Sequence, residues 1–264
     1  CVGTPNIKGS LKVDLSSVFK CTKEILAITK KKKIIVTKST VPIGTGDQIE
    51  NIIKKKKKLF SVISNPEFLR EGEAIRDFRY PDRIIIGSNS KNEFKTMKKL
   101  YSPLINKGAK FFTTSRRGAE LIKYAANAFL ATKITFINEI ANLCERSGIN
   151  VKDIALGIGS DTRIGSRFLR PGPAYGGSCF PKDTKGLVFA AEKYKTNLSI
   201  VKSVIKSNQD RVNLLIKRVH KILGNNLRGK KISILGVTFK PNTDDMRDST
   251  SLKMLPYLSK KGAI

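Results

Sequence analysis

The sequence predicts an α/β protein that begins with a doubly wound sheet, continues as a helical middle region, and enters a second α/β domain. Three observations carry this prediction. Short apolar runs alternate with helical stretches over the first part of the chain. A long helical pattern follows at residues 117–147, and a fresh apolar run at 231–236 comes after a break rich in Gly and Asn.

The first part of the chain has the alternation of a layered sheet. Residues 2–5 are typical of a strand end followed by a turn, and residues 15–29 have helical spacing. Apolar runs predict strands at residues 33–37, 59–64, 83–87 and 109–113. Segment 39–46 opens another helix. Because the run 33–37 is apolar throughout, we expect parallel strands that are covered on both faces.

The middle of the chain has helical periodicity. Apolar residues at spacings of three and four predict helices over residues 117–147, 149–156, 181–194, 198–211 and 212–223. Gly157 and Gly159 follow the second of these helices and are expected to lie in a loop. This Gly-Ile-Gly is not placed between a strand and a helix, so it is not a dinucleotide-binding fingerprint.

The net charge of +30, from 51 Lys and Arg against 21 Asp and Glu, raises a nucleic-acid-binding protein as an alternative. However, the lysine runs 30–33 and 54–58 lack interleaved aromatic residues. We therefore expect solvated helix ends or loops there, and no nucleic-acid partner. No apolar run approaches the roughly 20 residues of a membrane span, so we expect no membrane partner.

The cysteines and the histidine give no metal-binding pattern. The four cysteines (Cys1, Cys21, Cys144 and Cys179) have neither paired nor metal-ligand spacing, and His220 is the single histidine. The sequence therefore predicts no metal, no disulfide and a reducing cytoplasm. We expect His220 to occupy a solvated helix position.

Polar residues follow three of the predicted strand ends. Thr4, Thr40 and Glu67 each come just after a predicted strand. Ligands of open α/β sheets bind at the carboxyl edge, so these residues are candidates for one site. For Thr40, a helix N-cap is an equally good interpretation, and the two roles can coexist.

Two polar residues interrupt the long predicted helix. Lys123 and Asn127 are four positions apart, which places both on one face. Polar groups on a mostly apolar helix are costly unless they bind something. They are therefore candidates for ligand binding.

Residues 171–183, Pro-Gly-Pro-Ala-Tyr-Gly-Gly-Ser-Cys-Phe-Pro-Lys-Asp, contain the strongest candidate for chemistry. The glycines let backbone pass close to a ligand, and Pro181 suits the first turn of a helix. Cys179 therefore sits at a helix N-terminus, where free N–H groups and the dipole favour a thiolate. Lys182 adds positive charge, and Asp183 lies within the first turn. The segment predicts a nucleophilic cysteine.

Several of these segments resemble one family. Gly-Gly-Ser-Cys-Phe-Pro-Lys-Asp at 176–183, Ser-Thr-Val-Pro at 39–42, Asn-Pro-Glu-Phe at 65–68 and the Lys-x-x-x-Asn that begins at Lys123 are similar to motifs of the nucleotide-sugar dehydrogenases. The resemblance implies a Rossmann-like sheet, NAD as cofactor, and oxidation of UDP-glucose to UDP-glucuronate through a thiohemiacetal and a thioester on the cysteine.

The resemblance also implies roles for individual residues. The implied catalytic residues are Cys179, Lys123, Asn127, Asp183, Glu67 and Thr40. The implied substrate-binding residues are Glu67, Phe68, Leu69, Arg70, Glu71, Lys123, Asn127, Arg163, Phe168, Leu169, Arg170, Pro171, Gly172, Gly176, Phe239 and Lys240. The implied cofactor-binding residues are Thr4, Thr40, Glu71, Lys182 and Arg247.

The domain organisation expected from the resemblance has three parts. Residues 1–116 would be the remainder of an NAD-binding domain, 117–224 the helical middle domain, and 225–264 the beginning of a UDP-sugar-binding α/β domain. Both ends look cut, so we expect a fragment that lacks the Gly-x-Gly-x-x-Gly unit. The family also implies a homodimer through the middle helices, with Arg163 reaching the neighbouring subunit's site.

The family resemblance leaves alternatives for the nucleotide sugar. Related dehydrogenases act on GDP-mannose or UDP-N-acetylamino sugars. Phe180, directly after the cysteine, favours UDP-glucose.

Overall fold

The computed structural model describes residues 2–7, 9–10, 12–56 and 59–264, which form four strands and ten α-helices. Contacts divide the chain into two units. The first unit contains the described residues up to Ala126 together with Phe189–Lys195. The second unit contains Asn127–Val188 and Thr196–Ile264.

A four-stranded sheet organises the first unit. Its strands are β1 (Lys33–Thr37), β2 (Phe60–Ser64), β3 (Arg83–Gly87) and β4 (Lys110–Thr114), in the order β1-β2-β3-β4. β1 pairs with β2 in parallel, and β3 pairs with β4 in parallel. The predicted strands are therefore confirmed, with a shift of one residue at two of them.

The β2–β3 pair differs from the expectation of a parallel sheet, because it is antiparallel and joins the strands at Ser64 and Gly87. The connection between them holds the short helix α3 (Ala74–Arg79). Six helical residues span about 9 Å, whereas a five-residue strand spans about 17 Å. The helix is thus too short to return the chain along the sheet for a parallel crossover.

Helices cover both faces of the sheet, as predicted. α1 (Ser16–Ile28) and α2 (Thr45–Ile53) pack on one face through a core that includes Val18, Ile49 and Val62. α4 (Lys91–Leu100) and α5 (Ser102–Ile105) border the other core, which includes Ile63 and Ile86. The side chains of neighbouring strand residues point to opposite faces, so Val62 and Ile63 enter different cores.

The lysine runs are mostly solvated. Lys31–Lys33 are exposed after α1, and Lys54–Lys56 form an exposed 3-10 turn after α2. The rest of the second run, Lys57 and Lys58, lies outside the described residues. Cys1 lies outside them as well.

Residues 2–5, which are described in the structure, do not form the predicted strand end. The described residues Val2–Pro5 are in neither a helix nor a strand, and Asn6 forms an isolated antiparallel bridge with Val13. This bridge forms where the chain reverses locally. The expectation of a strand end was therefore wrong for the residues that the structure describes.

Helices dominate the rest of the chain. They are α6 (Arg116–Ser147), α7 (Val151–Gly159), α8 (Phe180–Lys193), α9 (Ser199–Ile222) and α10 (Ser251–Lys260). α9 is one continuous helix where the sequence suggested two adjacent stretches. Gly157 and Gly159 belong to the last turn of α7, not to a loop. Across the described residues, no helix combines the length and apolarity needed to cross a bilayer.

The predicted strand at 231–236 is wrong, because the structure describes these residues outside any strand. Ile232 N–H donates to the Ile264 carbonyl (2.8 Å), and Ile264 N–H donates to the Lys230 carbonyl (2.8 Å). A strand needs a neighbour that supplies hydrogen bonds over several residues, and this pairing involves one position of the partner segment.

His220 does not occupy a solvated position. Its ring packs edge-on against Tyr257 with centroids 5.6 Å apart, and its Nε2 is buried without a hydrogen-bond partner among the described residues. The helical periodicity of α9 does not reveal this contact, because Tyr257 comes from α10, far along the sequence.

Candidate active site

Cys179 is an exposed free thiol directly before α8 in the second unit. Its carbonyl accepts the Asp183 N–H at 2.8 Å, which makes Cys179 the N-cap residue of the helix. Ser178 Oγ lies 3.6 Å from Cys179 Sγ. The unpaired N–H groups and dipole of the first helical turn favour an anion at this position.

The glycines before Cys179 let another segment pack closely. A Cβ on Gly176 would lie 2.5 Å from the Asp248 carbonyl oxygen, and one on Gly177 would lie 2.6 Å from the Phe239 ring. Gly177 also has φ = +78° and donates its N–H to the Arg247 carbonyl at 2.8 Å. The segment 239–248 is thus fixed against the cysteine loop, which we define as residues 171–179.

Three helical side chains that the sequence analysis missed hold the same loop. Asn208 accepts the Tyr175 N–H (2.8 Å) and donates to the Tyr175 carbonyl (3.0 Å). Asn138 accepts the Gly172 N–H (2.8 Å), and Arg211 Nε donates to the Gly172 carbonyl (2.7 Å). For Asn138 the available signal was a polar residue among apolar positions of α6, whereas Asn208 and Arg211 belong to the run 206–211 of α9, which is polar throughout and gave no such signal. Burial raises the pKa of the Tyr175 hydroxyl and is the main cause that lowers the pKa of Arg211.

Asp183 is fully buried and joins α8 to α6 within the second unit. Asn127 Nδ2 donates to Asp183 Oδ2 at 2.5 Å, and Lys182 Nζ lies 2.6 Å from Asp183 Oδ1. Charge-assisted hydrogen bonds of this kind are stronger than neutral ones. The carboxylate therefore fixes the orientation of the Asn127 amide.

In the first unit, Lys123 and Glu67 form an ion pair with Nζ and Oε1 3.3 Å apart. Glu67 Oε2 accepts the Leu69 N–H at 2.6 Å, so both carboxylate oxygens have partners. Lys123 is buried, and its ammonium lies 5.1 Å from the centre of the Phe68 ring. The Arg83 guanidinium stacks on the same ring at 4.1 Å.

Thr4 and Thr40 are also brought together in the first unit. Thr4 Oγ1 donates to the Thr40 carbonyl at 3.0 Å. The N-cap interpretation of Thr40 is wrong, because α2 begins at Thr45 and Gly44 occupies the N-cap position. Thr40 and Glu67 follow the parallel strands β1 and β2, so both lie at the carboxyl edge of that pair.

Three arginines of the predicted site pair with nearby carboxylates. Arg70 binds Asp77 through Nε (2.9 Å) and Nη2 (2.6 Å). Arg163 binds Asp161, and Arg247 binds Asp245; in each pair the two residues are two positions apart in the sequence. The hydrogen bonds from Arg163 lower the pKa of Asp161.

The other predicted residues are distributed over the same two units. Phe168 has φ = +66° and stacks edge-on with Phe180, while Leu169 is buried. In the second unit, Arg170 is exposed, and Pro171 and Lys240 are half-buried. Glu71 is half-buried in the first unit.

Comparison with known families gives three matches to one family. Residues 1–105 match the "UDP-glucose/GDP-mannose dehydrogenase family, NAD binding domain", 117–210 match its "central domain", and 233–264 match its "UDP binding domain".

Curated relatives include the UDP-glucose 6-dehydrogenase of Rhizobium meliloti, which is 51% identical over 99% of this chain and 61% of the relative. That of Bacillus subtilis is 46% identical over 98% and 58%, respectively. Among solved structures, a UDP-glucose dehydrogenase from Pyrobaculum islandicum has a TM-score of 0.93 and 36% identity, covering 100% of this chain and 61% of that one. This chain therefore spans about 60% of the length of the proteins that it matches.

Proposed function

The chain belongs to the UDP-glucose/GDP-mannose dehydrogenase family, and from this premise we propose that the protein oxidises the primary alcohol of UDP-glucose to the carboxylate of UDP-glucuronate. The observation that carries the proposal is the exposed Cys179 thiol at the N-terminus of α8, beside the buried Asp183–Asn127 pair. A plain alcohol dehydrogenase has no need of a nucleophile, whereas a four-electron oxidation must hold the intermediate aldehyde.

We propose that Cys179 is that nucleophile. Its thiolate adds to the carbon of the aldehyde, and the carbonyl oxygen takes up a proton to give a thiohemiacetal. Loss of a hydride from that carbon and of a proton from the hydroxyl gives a thioester. Water then attacks the thioester, which releases the carboxylate and returns the thiol.

NAD is the cofactor of the proposed reaction, and when bound it supplies the hydride acceptor. In the first unit, the hydroxyl side chains of Thr4 and Thr40 fit NAD. Thr40 follows the end of β1, and Thr4 is bonded to it. The N–H groups of Gly44 and Gly46 at the start of α2 are already bonded to the Glu120 carboxylate and do not fit a phosphate. Glu71, Lys182 and Arg247 are proposed as further cofactor contacts on the resemblance alone.

Lys123 and Asn127 are proposed to stabilise oxygen as negative charge develops on it. Removal of one such donor typically costs about a hundred- to a thousandfold in rate. The Asp183 contact supports this role for Asn127, because it fixes which way the amide points.

Glu67 and Asp183 are the alternatives for the base that activates water. Asp183 is fully buried and held by two donors, which supports a role in ordering groups around it. Glu67 is partly exposed and shares a contact with the Lys123 ammonium, which supports proton transfer. We therefore propose Glu67 as the base, with Thr40 and Asp183 ordering the water.

The sugar nucleotide is proposed to bind residues 67–71, the cysteine loop with Phe168–Arg170, and Phe239 with Lys240. The named relatives and Phe180 support UDP-glucose. A GDP-mannose dehydrogenase structure from Pseudomonas aeruginosa has 32% identity and a TM-score of 0.57, so GDP-mannose is the alternative substrate to exclude.

A homodimer is proposed through an apolar stripe on α6. Phe129, Phe136 and Leu143 repeat every seven residues on this helix and are 65%, 48% and 63% exposed. Large apolar side chains aligned on one helix face favour a protein partner. The proposed domains remain 1–116, 117–224 and 225–264, and Arg163 is proposed to reach the partner's site.

The test measures NADH and sugar acid with UDP-glucose as substrate. The wild-type protein should form about two NADH per UDP-glucuronate, since an alcohol becomes a carboxylate by loss of two hydrides. The Cys179→Ser variant should lower UDP-glucuronate formation by more than about a hundredfold. Cys21→Ser, which changes a half-buried thiol on α1, is the control. Undiminished formation of UDP-glucuronate by Cys179→Ser would refute the cysteine mechanism. Faster turnover of GDP-mannose than of UDP-glucose would refute UDP-glucose as the substrate.

A further inference from the structure

Glu120 on α6 has a buried carboxylate that the proposed chemistry does not use. Glu120 Oε2 accepts the Gly44 N–H at 2.6 Å, and Oε1 accepts the Gly46 N–H at 2.8 Å. Ser64 Oγ also donates to Oε1, at 3.0 Å. The carboxylate thus bonds to the start of α2 and to the end of β2, and all of these groups belong to the first unit.

The surroundings are built for this contact. A Cβ on Gly46 would lie 3.1 Å from Glu120 Oε1 and 3.0 Å from Ser64 Oγ, so a side chain there would crowd the carboxylate. The positive end of the α2 dipole favours a negative charge at the same place. Burial raises the pKa of Glu120, and the hydrogen bonds from Gly46, Gly44 and Ser64 oppose that effect.

The three bonded elements are those that carry the first unit's proposed catalytic groups. Gly44 follows Thr40 by four residues and lies directly before α2, and Glu67 follows Ser64 by three residues. Lys123 lies one helical turn after Glu120 on α6. Moving α6 by even one ångström relative to β2 would change the 3.3 Å contact between Lys123 and Glu67.

We propose that Glu120 is a positioning residue: its carboxylate fixes α6, β2 and the start of α2 to one another, so that Lys123, Glu67 and Thr40 keep their mutual geometry. The inference rests on the proposed function for its kinetic consequence, but its structural part does not.

The kinetic test compares Glu120→Gln with Glu50→Gln. Glutamine keeps the shape but places an NH₂ group against a backbone N–H, so one bond becomes a repulsion. We expect kcat with UDP-glucose to fall about ten- to a hundredfold with KM changed less than about threefold, since a 1 Å misplacement can cost a hundredfold. Glu50 is the matched control, because its carboxylate joins the same two helices through Arg116. Equal losses in both variants would overturn the proposal.

Two further measurements separate positioning from general destabilisation. If Glu120→Gln fails to fold, Ser64→Ala serves as the alternative variant. It removes one of the three donors to the Glu120 carboxylate and should lower kcat by about threefold. Amide exchange at Gly44 and Gly46 should quicken at least tenfold in Glu120→Gln, while Ile49–Ile53 keep their protection. Unchanged exchange at both glycines would overturn the proposal. If the wild-type protein does not oxidise UDP-glucose, the proposed function fails, and the exchange measurement alone decides the role of Glu120.

Discussion

At the scale of single residues, Gly177 is the most constrained position of the cysteine loop. It combines φ = +78° with a Phe239 ring that lies where a Cβ would be, 2.6 Å away. A left-handed conformation is costly for any residue with a Cβ, and the packed ring adds a steric cost. The two effects act at a position two residues before the proposed nucleophile.

We predict that Gly177→Ala lowers the free energy of unfolding by about 2–4 kcal/mol. The left-handed backbone conformation accounts for about 1–2 kcal/mol of this loss, and displacement of the Phe239 ring accounts for the rest. Urea denaturation would measure it. Gly172→Ala is the control, because no atom lies within 4 Å of its Cβ position and its φ is not positive. If the two variants had equal stability, the close packing at Gly177 would not matter.

Residue patterns singled out the candidate groups of the site, but they did not predict which of these groups pair with one another. The spacing of Lys123 and Asn127 singled out both residues, and their partners Glu67 and Asp183 were singled out independently. The pairing itself was not predictable, because each partner is far away in the sequence; for Asn127 and Asp183 the separation is 56 residues. Glu120 was missed because a lone acidic residue on a helix is most often solvated.

At the scale of elements, strands were predictable where their neighbours are present. β1 and β3 match the apolar runs 33–37 and 83–87, since both runs lie in one sheet. The run 231–236 is also mostly apolar, yet its described hydrogen bonds lead to the single position Ile264 and to no strand. Apolar sequence sets the tendency to extend, but the partner strand decides whether a strand forms.

Helix α3 gives a prediction about pH. A six-residue helix is unstable alone, and Arg70 joins it to the preceding loop through Asp77. The side-chain hydrogen bonds from Arg70 are the main cause that lowers the pKa of Asp77. A lowered folded-state pKa stabilises the fold above the unfolded value of about 3.9, and this contribution is lost as the pH falls through the folded value.

We therefore predict that Asp77→Asn lowers the stability at pH 6 by about 1 kcal/mol or less and flattens the loss of stability as the pH falls below about 4. Thermal unfolding across that range would measure both effects. In an Arg70→Gln background, Asp77→Asn should have a smaller effect but not a zero one, because the backbone N–H of residue 70 still donates to the Asp77 carboxylate. An undiminished effect there would assign the pKa shift to another group.

At the scale of the whole molecule, two properties oppose each other in the proposed dimer. The apolar stripe of Phe129, Phe136 and Leu143 favours association, whereas each chain carries a net charge of +30. Like charges repel over about a Debye length, which falls from about 10 Å at 0.1 M salt to about 3 Å at 1 M. Burial of apolar surface does not weaken in the same way.

Self-association should therefore strengthen as salt rises, which is the opposite of what attraction between unlike charges would give. Sedimentation equilibrium at about 0.1 M and 1 M NaCl would show a lower dimer dissociation constant at the higher salt. Phe136→Asp should be monomeric at both concentrations, since it buries a charge in the stripe. Leu156→Asp changes an equally apolar residue on α7 that is 71% exposed, and it should associate like the wild type. A dimer that weakens with salt, or one that tolerates Phe136→Asp, would place the contact between subunits on another surface, because neither behaviour is compatible with an interface made from these three side chains.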